Sequence, residues 1–149
     1  MRKALMDLLI EQLKVLLATT FSFYLKSHNF HWNVTGPNFS EYHKFLGDVY
    51  AQAHEDVDTY AEQIRAMGAF APGSITRFAE LTRIQDEFNI PSAMFMFARL
   101  NADNDIVRTE LLACHKYAEA VGQSGVVNFL EDRIQYHDKL GWMLQSFYK

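Results

Sequence analysis

The spacing of apolar side chains constrains the fold of this chain more than any other feature. Apolar residues recur every three or four positions through four long stretches, at about residues 5–33, 38–68, 92–121 and 127–148. A stripe with this period is typical of an amphipathic α-helix that buries one face. No strand pattern, internal repeat or low-complexity tract competes with it. The sequence therefore predicts an all-α fold.

The connections between the four stretches predict how the helices pack. The breaks at Gly36-Pro37 and at Gly122 are short, so the helices on either side of each should be antiparallel neighbours. The segment 69–91 is long enough to cross the length of a bundle, and we expect a small helix at about 75–80. Two helical hairpins joined by a long crossover form a ferritin-like four-helix bundle. We expect residues 1–149 to make one such domain.

Composition narrows the functional classes. The chain is 49% hydrophobic and 21% charged, which is typical of a globular protein, and its 14% aromatic content suggests subunit contacts. The net charge of -4 and the absence of a Lys-rich tail argue against direct DNA binding. A single cysteine excludes an internal disulfide. The apolar N-terminal stretch is interrupted by Asp7, Glu11 and Lys14, so we expect no signal peptide, no membrane span and a cytoplasmic location.

Two histidines and two acids form a candidate metal site. His31 and His43 each lie six residues from Pro37, so a hairpin turn there brings their side chains level, where both could reach one metal. Asp58 and Glu62 lie four residues apart, on one face of the second helix. Neutral imidazole with carboxylate is a ligand set that suits a redox-active metal such as iron.

The helix rise decides how these residues can meet. His43 and Asp58 are fifteen residues apart on one helix, which is about 22 Å at about 1.5 Å per residue. They cannot bind the same ion within one chain. They can do so if two copies of the second helix cross antiparallel about a two-fold axis near residues 51–52, which generates two equivalent sites. The sequence therefore predicts a metal site that exists only between subunits.

Each of these residues also has a plainer interpretation. An acid pair such as Asp58 and Glu62 is most often a solvated helix face, and a histidine in an apolar stripe, such as His31, is most often a packed core residue. It is the combination of two histidines, a hairpin turn and an acid pair that favours a metal site. The remaining histidines and the cysteine are interpreted as structural: His28, His54, His115, His137 and Cys114.

Three segments resemble the Dps family of mini-ferritins, at residues 26–39, 57–68 and 137–144. The resemblance implies a hollow dodecamer with ferroxidase sites at its two-fold interfaces. There Fe(II) is oxidised, usually by hydrogen peroxide, and ferric mineral is stored inside, which protects DNA. It assigns His31 and His43 to one subunit and Asp58 and Glu62 to the partner. It also places Trp32 beside the site, and leaves two roles open for it: carrying an electron, or packing alone.

The chain departs from the family pattern at three places. Gly47 stands where members commonly carry an aspartate, which weakens the second iron position of a di-iron site; a water, Asp48 or His54 is a possible substitute. Gln123 and Asn128 stand where acids commonly line a pore. The Lys-rich tail with which some members bind DNA is missing.

Three functional hypotheses remain open from the sequence. The first is an iron-oxidising, iron-storing cage that uses hydrogen peroxide or dioxygen. The second is a non-catalytic cage, metal-sequestering or DNA-associated, whose ferroxidase site is impaired by Gly47. The third is an ordinary helical bundle that remains a monomer.

Overall fold

The computed structural model describes residues 1–149 and consists of helices alone. The five helices are α1 (Arg2–Asn33), α2 (Phe39–Ala66), α3 (Ile75–Leu81), α4 (Ala93–Val121) and α5 (Ser124–Gln145). The all-α prediction is confirmed, including the short helix in the crossover between α2 and α4. The main difference is α5, which begins and ends about three residues earlier than its apolar pattern suggested.

Local signals end the helices where the sequence indicated. Gly122 follows α4 with a φ of 73°, a left-handed conformation that glycine adopts without a steric cost. The amide of Gln123 then donates to the carbonyl of Ala118, which satisfies one of the last carbonyls of α4. The side chain of Ser74 caps α3 by accepting a hydrogen bond from the amide of Arg77. These ends fix the two tight hairpins, α1–α2 and α4–α5.

The core lies between the four long helices. α1 packs against α2 and α4, α4 packs against α5, and α3 lies on α1. One face of α1 is fully buried, including Leu9, Leu13, Leu16 and Phe23. These side chains belong to a single cluster of 26 buried apolar residues that reaches all four long helices. Burial of this apolar area is the main stabilising contribution to the bundle.

α1 is also long and apolar enough to span a membrane by length and composition. That finding is weak evidence, because a core helix passes the same test and almost half of the apolar window is buried inside the bundle. The apolar character of α1 is accounted for by its packing against α2 and α4.

Three buried polar pairs join the helices across the core. Lys26 of α1 forms an ion pair with Asp103 of α4 at 2.7 Å, and both side chains are about nine-tenths buried. Arg133 of α5 pairs with Asp56 of α2 at 3.0 Å. Each charge is paired, as the high free-energy cost of burying an isolated charge requires. These pairs fix the register between helices that apolar packing alone would leave less specific.

The third pair joins α4 to α5. Asn104 donates from Nδ2 to the carbonyl of His137 at 2.8 Å, and Nδ1 of His137 donates to Oδ1 of Asn104 at 2.6 Å. Gly141 makes room for it, because a Cβ there would lie 3.2 Å from Nδ2 of Asn104. His137 is a packed core residue, as the sequence suggested. Cys114 is also buried, and burial raises the pKa of its thiol well above the usual value, so the thiol is inert at neutral pH.

Candidate metal centre

His31 and His43 face each other across the first hairpin. His31 lies in the last turn of α1 and His43 in the first turns of α2, and the short loop between the helices returns the chain on itself. The two imidazole rings stack with their centroids 3.7 Å apart and their planes 18° from parallel. The expectation that the hairpin brings these two side chains level agrees with their positions.

Reciprocal hydrogen bonds hold the two rings. Nδ1 of His31 donates to the carbonyl oxygen of His43 at 2.7 Å, and Nδ1 of His43 donates to the carbonyl oxygen of His31 at 2.8 Å. A carbonyl oxygen can only accept, so Nδ1 carries a proton in both rings, and in the neutral imidazole Nε2 is then the nitrogen with the lone pair. A hydrogen bond that fixes the tautomer and orientation in this way is what metal-binding histidines commonly have.

The stack also limits how a metal ion can be shared. The Nε2 lone pair lies in the plane of its ring, and a first-row metal lies about 2.0–2.1 Å from that nitrogen. Because the ring planes are inclined by only 18° and the ring centroids are 3.7 Å apart, an ion placed in the plane of one ring lies out of the plane of the other. A single ion bound in the plane of both rings would require the stack to open, so the expectation that both side chains reach one metal stays a prediction. As stacked, the two rings present their Nε2 atoms in different planes.

The two acids lie elsewhere in the same chain. Asp58 and Glu62 are exposed and one turn apart in the second half of α2. Asp58 lines an open groove of about 600 Å³ together with His54 and Pro72. Within one chain, no group of three or more histidine, cysteine or acidic side chains is placed to hold a metal ion. The structure therefore brings the two histidines together and leaves the two acids apart from them.

Aromatic rings surround the histidine pair. His28 stacks on Tyr50 with centroids 3.7 Å apart and planes 6° from parallel, and it packs against Trp32 at 4.0 Å. Its Nδ1 is hydrogen-bonded to the hydroxyl of Tyr24 at 3.1 Å. Burial lowers the pKa of the His28 imidazole below its usual value, and the nearby His31 lowers it further. The lowered pKa favours the neutral form of the His28 ring, which stacks on Tyr50 and packs at an angle against Trp32.

The sequence analysis interpreted His28 and His54 as structural without naming a partner, and both rings have aromatic partners in the structure. His54 packs against Tyr24 with ring centroids 4.9 Å apart. The signal was present in the spacing, because Tyr24, His28 and Trp32 lie at four-residue intervals on one face of α1. Trp32 itself is 59% exposed at the end of that row.

Comparison with known proteins places the fold in a family. The family model that describes the ferritin-like domain matches residues 10–149 of this chain. The chain belongs to the ferritin-like family. It is 30% identical over 143 residues to antigen TpF1 of Treponema pallidum, covering 93% of this chain and 79% of that protein. It is 29% identical over 124 residues to the DNA protection during starvation protein of Brevibacillus brevis, covering 83% of each.

Solved structures agree with the sequence matches. The crystal structure of TpF1 superimposes with a TM-score of 0.95 at 27% identity, covering 98% of this chain and 94% of that one. A Dps protein from Bacillus brevis superimposes with a TM-score of 0.94 at 27% identity, covering 98% of each chain. The resemblance to Dps proteins and the ferritin-like bundle are both confirmed.

Gly47 is the main departure from the Dps pattern near the two histidines. Asp48, the next residue, does not take the place of the expected aspartate, because it is exposed and pairs with Lys44 at 3.3 Å. One residue of helix turns the side chain by about 100°, so Asp48 points away from the ring of His31. No carboxylate of this chain accompanies the two imidazoles.

The first two acids of α5, Glu131 and Asp132, both have basic partners. Gln123 precedes the helix, and Asn128 lies in its first turns, where the resemblance leads us to expect acids. Glu131 accepts a hydrogen bond from Nε2 of His115 at 2.9 Å. Asp132 pairs with Arg133 at 2.9 Å. His115, which the sequence left without a partner, is therefore paired with a glutamate across the α4–α5 hairpin.

Proposed function

We propose that this chain is the subunit of a Dps-type cage, a dodecamer, that oxidises Fe(II) and stores the ferric product. The observation that carries the proposal is the reciprocal bonding of His31 and His43 through Nδ1, which leaves Nε2 as the nitrogen of each neutral imidazole that is available to a metal. Helix geometry allows the acids to reach these atoms only from a second copy. The partner subunit's Asp58 and the partner subunit's Glu62 would then complete each site.

The proposed division of roles follows from the chemistry of the donors. His31 and His43 bind Fe(II) through neutral nitrogen, and the anionic oxygens of Asp58 and Glu62 favour Fe(III), which drives the oxidation. Hydrogen peroxide accepts two electrons and two protons to give two water molecules, and two Fe(II) ions supply the electrons. Dioxygen is the alternative oxidant. The stacked rings suit this stoichiometry, because each one has a lone pair for its own ion.

Assembly and location are part of the same proposal. Twelve chains of 17.3 kDa make a particle of about 208 kDa, which size-exclusion chromatography with light scattering separates from a monomer. The relatives named for DNA protection during starvation support a protective role. The negative net charge favours protection by removal of Fe(II) and peroxide over contact with DNA. One buried, unpaired thiol fits the reducing cytoplasm.

The decisive experiment replaces one proposed ligand and one neighbour. Purified Asp58→Asn should keep the cage but lose most of the protein-dependent Fe(II) oxidation by peroxide, followed anaerobically by the absorbance of the ferric product. Asp48→Asn is the matched control, since Asp48 lies on the same helix and pairs only with Lys44. Oxidation that is as fast in Asp58→Asn as in the unsubstituted protein would refute the assignment.

The position of Gly47 favours a second candidate, a cage that sequesters metal without oxidising it. In that case the unsubstituted protein binds Co(II) in proportion to its subunits but does not accelerate the reaction of Fe(II) with peroxide. The same absorbance assay therefore separates the two functions. A gel shift of plasmid DNA that weakens with salt would instead indicate a DNA-associated shell.

A further inference from the structure

Gly47 leaves a position beside the ring of His31 without a metal-binding side chain. A Cβ at Gly47 would lie 3.2 Å from Cε1 of His31, so position 47 faces this imidazole. Asp48 does not replace the missing carboxylate, because it points elsewhere and pairs with Lys44. A second metal ion beside position 47 would therefore need a donor from another part of the molecule.

His54 cannot supply that donor within its own chain. It follows Gly47 on the uninterrupted helix α2, and the seven residues between them rise about 10 Å at about 1.5 Å per residue. A metal ion lies only about 2.0–2.1 Å from the imidazole nitrogen that binds it. The side chain of His54 does not cover that length along its own helix.

The face of α2 that carries Gly47 nevertheless also carries His54. Successive residues of an α-helix are rotated by about 100°, so Gly47, His54 and Asp58 fall within about 40° of one another around the axis of α2. His54 and Asp58 are both exposed and line the same open groove. Ala51 lines this groove between them, and its small side chain allows a second helix to approach closely.

The proposed two-fold axis brings these positions together. In an antiparallel pair of α2 helices that cross near residues 51–52, position 47 of one copy lies at a level midway between the partner's His54 and the partner's Asp58. Each of the two is then offset from position 47 by about 3 Å along the helix, since one residue rises about 1.5 Å. Position 47 therefore faces an imidazole of the partner as well as a carboxylate.

We propose that the partner subunit's His54 supplies the donor that Gly47 lacks, so that a second metal ion is held across the two-fold interface. This inference rests on the proposed function, in which the partner's Asp58 binds metal at the same interface. Imidazole suits Fe(II) as a ligand, and it is neutral where aspartate is negative. The second position would thus hold its ion with one negative charge fewer than an aspartate at position 47 would give.

The first test counts the Co(II) ions that the assembled cage binds, by anaerobic titration followed through visible absorption. The unsubstituted protein should bind two Co(II) ions per subunit. His54→Phe should bind one, because phenylalanine keeps an aromatic ring against Tyr24 but has no nitrogen donor. His115→Gln is the matched control, since His115 lies on α4 and is bonded to Glu131, and it should still bind two. Two Co(II) ions per subunit in His54→Phe would overturn the proposal.

The second test asks whether His54 and position 47 serve the same ion. Gly47→Asp in the His54→Phe background should restore the second Co(II) ion, with an altered visible spectrum because an oxygen donor has replaced nitrogen. Gly125→Asp in the same background is the control, because Gly125 also lies in a helix and a Cβ there meets nothing within 4 Å. A second ion that Gly47→Asp does not restore, or that Gly125→Asp restores equally well, would contradict the shared position.

These outcomes separate the inference from the proposed function. If the unsubstituted cage binds no Co(II), the proposed function fails and the assignment of His54 fails with it. If Co(II) binding depends on Asp58 but the count is the same with and without His54, only the assignment of His54 fails.

Discussion

The buried imidazole of His137 should make the bundle sensitive to mild acid. The side chain is 2% exposed, and its Nδ1 donates to Asn104 in the contact between α4 and α5. Burial, together with the nearby charge of Arg133, lowers the pKa of His137 from 6.5 to about 3. The neutral form is therefore the one that the folded protein holds, whereas the unfolded chain takes up a proton at its ordinary pKa.

The size of the effect follows from the difference between the two pKa values. Each pKa unit corresponds to about 1.4 kcal/mol. The stabilising contribution of neutral His137 is fully present above pH 6.5 and is lost as the pH falls toward 3. The total loss is about 4–5 kcal/mol, of which about 2 kcal/mol is lost between pH 6.5 and 5. That is a large part of the 5–15 kcal/mol by which a domain is typically stable.

The measurement is the free energy of unfolding in urea at each half unit between pH 7.5 and 4.5. The subunit concentration is held fixed, because assembly also contributes to apparent stability. His137→Gln removes the titrating group and keeps an N–H that can be offered to Asn104. We expect the difference between the unsubstituted protein and this variant to shrink by about 1.4 kcal/mol per pH unit below pH 6.5.

Other acid-sensitive groups are separated by the comparison. Burial raises the pKa of the carboxyl groups of Asp56 and Asp103, so their protonation acts in the opposite direction at lower pH. Both remain in the variant and cancel in the difference. His115→Gln, a change in a histidine paired with an exposed glutamate, should keep the slope that His137 causes. Parallel stability curves for the unsubstituted protein and His137→Gln between pH 6.5 and 4.5 would refute this reasoning.

Two further predictions concern single contacts. Lys26→Met should lower the free energy of unfolding by about 3–5 kcal/mol in urea, because it leaves the charge of Asp103 buried without a partner; Lys26→Met with Asp103→Leu should regain most of that loss, and a double variant no more stable than the single would contradict this. Trp32 packs on His28 at 4.0 Å, so peroxide added to a cage loaded with one Fe(II) ion per site, which supplies only one of the two electrons, should produce a tryptophan radical in electron paramagnetic resonance. That signal should vanish in Trp32→Phe while Co(II) affinity stays unchanged, and an identical signal in the variant would exclude Trp32 as the donor.

The helices were predictable because several local signals agree at each one. Apolar stripes with a helical period, the break at Gly36-Pro37 and the glycine after α4 all pointed to the same boundaries. The start of α5 was less clear. Its first turn begins Ser124-Gly125, which carries little helix propensity, so the apolar pattern became visible only from Val127. The last residues 146–148 form turns despite their aromatic character.

The candidate site was predictable only in part. Counting residues from Pro37 correctly brought His31 and His43 side by side. Counting could not show that each ring donates to the other residue's carbonyl or that the rings are parallel, because both depend on how α1 is rotated against α2. The stack of His28 on Tyr50 could not be predicted for the same reason, because the two rings lie on different helices. From the sequence alone Gly47 could be interpreted only as a missing ligand, because its close approach to the ring of His31 has no sequence signal.

A straight helix makes the proposed site a property of the assembly. α2 carries His43 near one end and Asp58 about 22 Å away at about 1.5 Å per residue, and it is one uninterrupted helix between them. Bending it enough to join these side chains would break several backbone hydrogen bonds and expose Leu46, Val49 and Ala53, which are buried in the core. In the proposed cage, metal binding instead stabilises the contact between two subunits. In the proposed cage, iron oxidation and subunit assembly are therefore coupled through the rigidity of one helix.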